Sequence, residues 1–370
     1  MESLFLATVL GLLLWITILL LPSRPYSTRE SLEAQPIEQT DLSEVTVLIP
    51  ARNEATIIIE SLLALQKQDP SLKIILVDDQ STDNTVELAY SIRMNNLTVL
   101  PGVQLQPGWS GKLWALEQGR RFINTSHILL LDADIILEPG LIETMLSRAK
   151  KNNIKLLSLM AHLRMVSFWE KLLIPAFIFF FKLLYPFYLS NLPNKKIAAA
   201  AGGCILLQTD VLEELGGFEC IKNKLIDDCS LAKKFKRNGY KTWVGLTHSA
   251  ISIRSYNSPK GIWKMIARTA YTQLHHSLLL LSICVILMSI AFLMPLIAIL
   301  QSQLIIVMIG ITTLCIQSIC YYPILRYYSI NSMYVFSLPF VGMIYLFFTL
   351  SSAYFYYFNK GAAWKERYYK

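Results

Sequence analysis

The sequence predicts an α/β domain, built on a mainly parallel sheet with helices on both faces and flanked by transmembrane helices at both ends of the chain. Three observations carry this. The 370 residues are 54% hydrophobic and only 16% charged, with a mean hydropathy of +0.43, too apolar for an ordinary soluble domain. The apolar excess gathers at the two ends. Between them, short apolar runs that end in carboxylates alternate with helical stretches, the pattern of strands buried on both faces.

Ser3–Leu21 carries no charge and is long enough to cross the hydrocarbon core. It reads as a retained anchor rather than a cleaved leader, because its apolar run is longer than a usual h-region and no A-x-A site follows. Between His276 and Lys360 the only charged residue is Arg326. Spans are expected at Ser277–Leu300, Gln303–Tyr322 and Met333–Phe355, with Pro295, Pro323 and Pro339 as kinks or ends. Tyr321, Tyr327 and Tyr354 suit the interfacial belt. The domains expected are therefore an anchor (1–22), a polar linker (23–44), a catalytic unit (45–275), about three C-terminal spans (276–358) and a tail (359–370). Arg24 and Arg29 place the linker and the central unit in the cytosol, as a multi-pass protein of the inner membrane. Three C-terminal crossings then put Lys360, Lys365, Arg367 and Lys370 outside, against the same rule. A re-entrant hairpin is the alternative that returns the tail to the cytosol.

The net charge is +8, and Lys222, Lys224, Lys233, Lys234, Lys236 and Arg237 lie close together in sequence. In a chain with these spans an anionic bilayer surface is the expected partner, not nucleic acid. The six cysteines show no C-x-x-C spacing, so neither a zinc site nor a disulfide framework is expected. Trp169–Leu189 is hydrophobic but punctuated by Glu170, Lys171 and Lys182 and broken by Pro175 and Pro186. A crossing there would split the central unit across the bilayer, so the segment at about 165–190 is expected to lie in the interface.

In an open α/β sheet ligands bind beyond the carboxyl ends of the strands, and the polar clusters fall there. Val45–Pro50 is a strand candidate, followed by Ala51-Arg52-Asn53-Glu54 and a helix from about Glu54 to Gln68. Lys73–Val77 ends in Asp78 and Asp79, and Ser81 or Asp83 caps the next helix, Thr85–Arg93. Capping does not require two further adjacent carboxylates, which repel unless a donor or cation compensates. Ile128–Leu131 ends in Asp132-Ala133-Asp134, two carboxylates able to converge on one Mg²⁺ or Mn²⁺ that also holds a diphosphate. Asp227 and Asp228 precede a helix at Cys229–Arg237. One of them suits the helix dipole, and a carboxylate there suits a general base. The five histidines are scattered and read as structural.

The ordered set Pro50–Glu54, Asp78–Thr85, Gly111-Lys112, Asp132-x-Asp134, Gly202-Gly203 and Asp227-Asp228 resembles the family 2 glycosyltransferases, across roughly Val45 to His276. Gln106–Ala115 and Arg268–Leu274 resemble the hopene-associated members, with carotenoid-acid glycosyltransferases close by. The resemblance implies the GT-A fold and inverting transfer from a nucleotide-diphospho-sugar, most often a uridine one, to a lipid acceptor such as a hopanoid or other terpenoid. It implies that Pro50, Ala51, Arg52, Glu54, Asp78 and Asp79 hold the nucleotide base and ribose and that Lys112 contacts the nucleotide. Asp132 and Asp134 would bind metal and diphosphate, Gly202 and Gly203 would let the backbone approach the acceptor side, and Asp228, or Asp227 in its place, would be the base. Processive polysaccharide synthases of the family carry Q-x-x-R-W, where this chain keeps only Arg268, a candidate diphosphate contact. That departure favours a single transfer over polymerisation. An inactive membrane scaffold is disfavoured because Asp134 and Asp228 are retained.

Overall fold

Val45–Ala51 (β1) is buried at every position, which only the middle of a sheet covered on both faces allows. The computed structural model describes residues 2–35, 41–358, 362–364 and 367–369. Residues 36–40 of the expected linker, and Lys360, Lys365 and Lys370 of the tail, lie outside the described residues. The other strands are β2 (Lys73–Asp78), β3 (Leu97–Pro101), β4 (His127–Leu131), β5 (Ile135–Leu137), β6 (Leu156–His162), β7 (Cys204–Gln208) and β8 (Thr242–Ser252). They form one eight-stranded sheet in the order β3-β2-β1-β4-β7-β6-β8-β5.

β1, β2, β3 and β4 are mutually parallel, and β6 is parallel to β8. β7 runs against both β4 and β6, and β5 runs against β8. The sheet is thus mostly parallel, as expected, with two reversed strands. That reversal matters. β7 starts where β4 stops, Cys204 facing Leu131, so Gly202 and Gly203 arrive at the same edge as the carboxyl ends of β1, β2 and β4. Helices Ile58–Gln66, Thr85–Ser91 and Leu141–Asn152 cover one face. Helices Gly111–Arg120, Thr209–Glu214 and Asp227–Arg237 cover the other.

The boundaries shift where side chains take over backbone donors. The helix expected from Glu54 starts at Ile58, because the amides of Glu54 and Ala55 are taken by Thr85 and Asp83 of the neighbouring loop. The stretch expected to be a linker is instead a strap on the edge of β8. Ser31 bridges Leu246 in parallel, Leu32 is buried, and the Ala34 amide donates to Ser249 Oγ at 3.0 Å. β5 pairs with β8 only at residues 250–252, so the rest of that edge is open to this polar segment.

Among the described residues, four helices are long and apolar enough to cross a membrane: Glu2–Leu20, Leu278–Ala298, Leu304–Tyr327 and Ser332–Tyr357. They knit together around Ala291. Pro295 has no N–H to give to the carbonyl four residues earlier, and the helix widens into a π turn at Ser289–Leu293. Trp15 Nε1 and Gln317 Nε2 from two other helices donate to that Ala291 carbonyl at 3.1 and 2.8 Å. The freed acceptor is thereby satisfied inside an apolar bundle.

The segment expected in the interface forms helix Phe168–Leu184, opened by a capping box between Ser167 and Glu170. It lies between the sheet and the apolar helices. Ile178 and Phe179 are fully buried, Phe179 sits against Trp15 and Tyr321, and Tyr345 donates to the Leu173 carbonyl at 2.8 Å. Phe168, Leu184 and Tyr188 stay exposed on its outer side. Lys182 is buried over the Phe187 ring, 3.6 Å from Glu30, and desolvation lowers its pKa to about 8. Of the expected basic patch, Lys236 is turned inward, donating to the carbonyls of Ser190 and Ile197.

Glu170 is the hinge of this arrangement. Fully buried, it accepts from the amides of Val166, Ser167 and Tyr256 and from Arg164, so one carboxylate joins helix Phe168–Leu184 to the chain leaving β8. Glu170→Ala is expected to cost about 3 kcal/mol, the range for stripping a buried hydrogen-bonded charge from its partners. Thermal unfolding in detergent, followed against the wild type, measures it.

Candidate active site

The site sits at the carboxyl edge of the sheet and is assembled from four loops. The first two lock each other. The Asp79 amide donates to the Ala51 carbonyl at 2.7 Å, and Arg52 reaches the carbonyls of Asp79 and Gln80. Asn53 and Gln80 both adopt left-handed backbone, φ 51° and 57°, a conformation asparagine tolerates better than most residues. Asp78 accepts from the Ser81 amide, while Asp79 is fully buried. Pro50, Ala51 and Asp78 close β1 and β2, and Arg52, Glu54 and Asp79 follow directly, so all six stand at the carboxyl edge of the sheet.

The third loop positions Lys112. Gly108 takes φ +80°, Ser110 caps the helix through the Leu113 amide, and Trp109 packs on Trp114. Lys112, at the second position of helix Gly111–Arg120, turns into the cleft and meets Asp132 at 2.6 Å. Asp227 and Asp228 also act on it, and together with Asp132 they hold its pKa above the ordinary lysine range despite desolvation. Gly202 makes room for this: a Cβ there would stand 3.3 Å from both Lys112 Nζ and Asp228 Oδ2. A Cβ on Gly203 would come within 3.9 Å of Asp132 Oδ2. Asp132, Asp227, Asp228, Lys112, Gly202 and Pro50 line one pocket.

Asp227 and Asp228 lie in the first turn of helix Asp227–Arg237, which starts two residues earlier than the Cys229 expected from sequence. Burial, then the neighbouring Asp227, raise the Asp228 pKa to about 6. The Cys229 and Gly202 amides and Lys112 pull the other way. Desolvation likewise raises Asp132 against the pull of Lys112.

Asp132 and Asp134 follow different partners. Asp134 Oδ2 accepts from Ser252 at 2.8 Å and from Arg254 Nε at 3.2 Å, and the same guanidinium reaches Glu54 at 3.0 Å. Asp132 turns instead to Lys112. No group of three metal-type side chains forms among the described residues. Two carboxylates at one strand end still fit a hard cation that takes most of its coordination from a diphosphate and water. Arg268, just past helix Pro259–Ala267, has a buried Nε with no hydrogen bond among the described residues. Its charge, like those of Arg254, Asp132 and Asp134, acts on Tyr256, which places it by the same cleft.

Several residues were not singled out from sequence. Ser252, Arg254 and Tyr256 alternate as β8 runs out, and a cation in that period-two register after an apolar strand was the available signal. Tyr185 donates to Gln273 at 2.5 Å and feels the charge of Asp228, a contact between distant segments that no spacing reveals. The histidines lie elsewhere: His127 by Glu44, His162 and His248 together by Tyr328, and His276 stacked on Tyr356.

Residues 46–216 match the family described as glycosyl transferase family 2. The poly-beta-1,6-N-acetyl-D-glucosamine synthase of Staphylococcus aureus is 38% identical over 120 residues, 30% of this chain and 28% of that protein. The 4,4'-diaponeurosporenoate glycosyltransferase of the same species is 32% identical over 125 residues, 33% of this chain and 32% of that protein. The matches thus span under a third of these relatives' lengths. Among solved structures, the mannosyltransferase PcManGT from Pyrobaculum calidifontis, in complex with GDP-Man and Mn2+, superposes with a TM-score of 0.59 at 16% identity, over 96% of this chain and 99% of that one. That likeness shows the GT-A fold.

Arg254 holds Glu54 and Asp134 together across the cleft. Arg254→Leu is expected to lower stability by about 2–3 kcal/mol, the penalty of leaving carboxylates short of their cation, discounted for partial exposure. Arg254→Lys should recover part of it, since an ammonium cannot present the guanidinium fork. Paired thermal melts decide the order.

Proposed function

Taking residues 46–216 as a family 2 glycosyltransferase domain, we propose that the chain moves a sugar from a nucleotide-diphospho-sugar to a membrane lipid acceptor, with inversion at the anomeric carbon. One observation carries the reading: Lys112, Asp132, Asp227 and Asp228 meet at the strand edge beside Gly202, where a Cβ would stand 3.3 Å from both Lys112 and Asp228. The nucleotide lies in the cleft of Ala51, Arg52, Asp78 and Asp79, and a uridine donor is the expected one. Lys112 and Arg268 take the diphosphate. Asp132 and Asp134 are the residues to hold a divalent ion, Mg²⁺ or Mn²⁺, whose chemistry is to neutralise the leaving diphosphate.

Asp228 is the base. The acceptor oxygen forms its bond to the anomeric carbon as the bond to the diphosphate breaks, and Asp228 takes the acceptor proton. A carboxyl raised to about 6 is a stronger base than an ordinary aspartate while still ionised at neutral pH. The lipid acceptor is supported by Tyr185, which is influenced by Asp228 on one side and hydrogen-bonded on the other to Gln273, shortly before apolar helix Leu278–Met288. An acceptor that reaches Asp228 from the side of Tyr185 would come from where the chain enters the apolar helices. A terpenoid acceptor, hopanoid or otherwise, suits such a rim, and the cytosol, where nucleotide sugars are made, suits the domain.

Asp228→Asn is expected to lower kcat by about 10³-fold while donor affinity changes little, because a base acts in the chemical step. In the wild type, activity should rise with pH through about 6, as the Asp228 carboxyl ionises. Lys112→Met removes the opposing cation, so that inflection should move to higher pH. A pH–rate profile reads both. The reading as a whole is tested on native membranes supplied with radiolabelled UDP-sugar and Mn²⁺, with the lipid extract analysed by mass spectrometry. A single glycolipid, lost on chelation and in Asp132→Ala, is expected. A water-soluble product ladder would point instead to a polymer synthase, and label transfer unaffected by chelator would remove the metal.

A further inference from the structure

The geometry points to a re-entrant final helix: Ser332–Tyr357 enters the bilayer from the catalytic side and returns to it, so the chain has three crossings rather than four. The inference rests on the apolar helices lying in a bilayer and not on the chemistry proposed for the cleft.

Depth can be read from contacts. Gly11 packs against the Ile290 carbonyl, Trp15 and Gln317 both bond Ala291, and Phe292 packs where a Cβ on Gly342 would stand. Gly11 and Ala291 fall near the middles of their helices, so this level is the middle of the bundle. Gly342 lies at that level, eleven residues into the 26-residue segment Ser332–Tyr357.

Both flanks of the segment lie on the catalytic side. Before it, His248 of β8 bonds the Tyr327 carbonyl, Tyr327 donates to Glu33 of the strap, and Tyr328 packs on His162 of β6. After it, Trp263 donates to Ser351, Ser352 bridges the Ala267 carbonyl and the Tyr271 amide, Tyr271 meets Tyr357, and His276 stacks on Tyr356 at 4.3 Å. Residues 263–276 follow β8 directly and precede helix Leu278–Met288, so they mark the edge where the chain first enters the bundle. Fifteen helical residues from Gly342 to Tyr357 advance about 22 Å, more than half the hydrocarbon thickness of about 30 Å. That is enough to return to the edge. The inward limb is supplied by the 3₁₀ turns Ser332–Ser337. Six residues rising about 2 Å each descend roughly 12 Å.

The inward limb is shielded as such a path requires. Val335, Leu338 and Val341 are buried in the same cluster as Tyr321, Ile324 and Leu325, so non-helical backbone at depth is covered by protein. Met333, Phe336, Phe340 and Phe347 face outward, where lipid chains would solvate them. The exposed Tyr354, Tyr356 and Tyr357 then form an aromatic belt at the catalytic interface. On this path Phe358 ends on the catalytic side, and the sequence that follows it carries Lys360, Lys365, Arg367 and Lys370. The conflict with the positive-inside rule, created by three C-terminal crossings, disappears.

The test compares three epitope tags in sealed membrane vesicles treated with protease: one after Lys370, one at Asn194 in the exposed loop before β7, and one at Ser302 between helices Leu278–Ala298 and Leu304–Tyr327. The tail tag is expected to be cleaved together with the Asn194 tag, while the Ser302 tag is protected in the same vesicles. Cleavage of the tail tag with the Ser302 tag instead would overturn the inference. Should a tag prevent folding, Phe358→Cys and Ser302→Cys with a membrane-impermeant maleimide, read above the wild-type background, replace it. Labelling of both from the same side would overturn the re-entrant path, and labelling from opposite sides supports it.

Discussion

The cleft depends on one ion cluster. Lys112 has its charge held among Asp132, Asp227 and Asp228, and without a cation three carboxylates at that spacing would raise each other's pKa until some were neutral. The sheet delivers the parts from separate places: Asp132 from the end of β4, Lys112 from the helix after β3, and Asp227 and Asp228 from the helix before β8. Gly202 completes the arrangement by absence. A Cβ there would stand 3.3 Å from both Lys112 Nζ and Asp228 Oδ2, so the two would have to draw back slightly. The antiparallel direction of β7 brings that glycine to the edge where the parallel strands end.

A second network ties the catalytic half to the membrane half. Glu170 fixes helix Phe168–Leu184 to the chain leaving β8, and that helix packs on Trp15, Tyr321 and Tyr345. Glu33, from the strap, meets both His248 of β8 and Tyr327 at the end of an apolar helix. These are hydrogen bonds between partly desolvated groups, stronger than the same bonds in water. They fix the cleft relative to the apolar helices, which matters for the lipid acceptor proposed above. The Ala291 carbonyl does the same inside the bundle: a proline deletes one backbone donor, and two side chains from other helices replace it.

The sequence by itself determined the α/β class, the four apolar helices, and the placing of Pro50–Glu54, Asp78–Asp79, Asp132–Asp134 and Asp227–Asp228 at strand ends or helix starts. These are local properties: hydrophobic periodicity, charge-free length and capping chemistry are written in neighbouring residues. Only the tertiary structure decided which carboxylate meets which cation. Asp132 and Asp134 are two positions apart, yet one turns to Lys112 and the other to Arg254, about 120 residues further along the chain. The strap at 30–35, read as a linker, could be recognised only once the open edge of β8 was known, since a polar segment pairs with whatever edge is exposed to it. The path of the last helix was equally hidden. Its composition fits a crossing, and hydropathy measures the preference for lipid but not direction or depth. Those follow from side-chain contacts between helices, which no local pattern encodes.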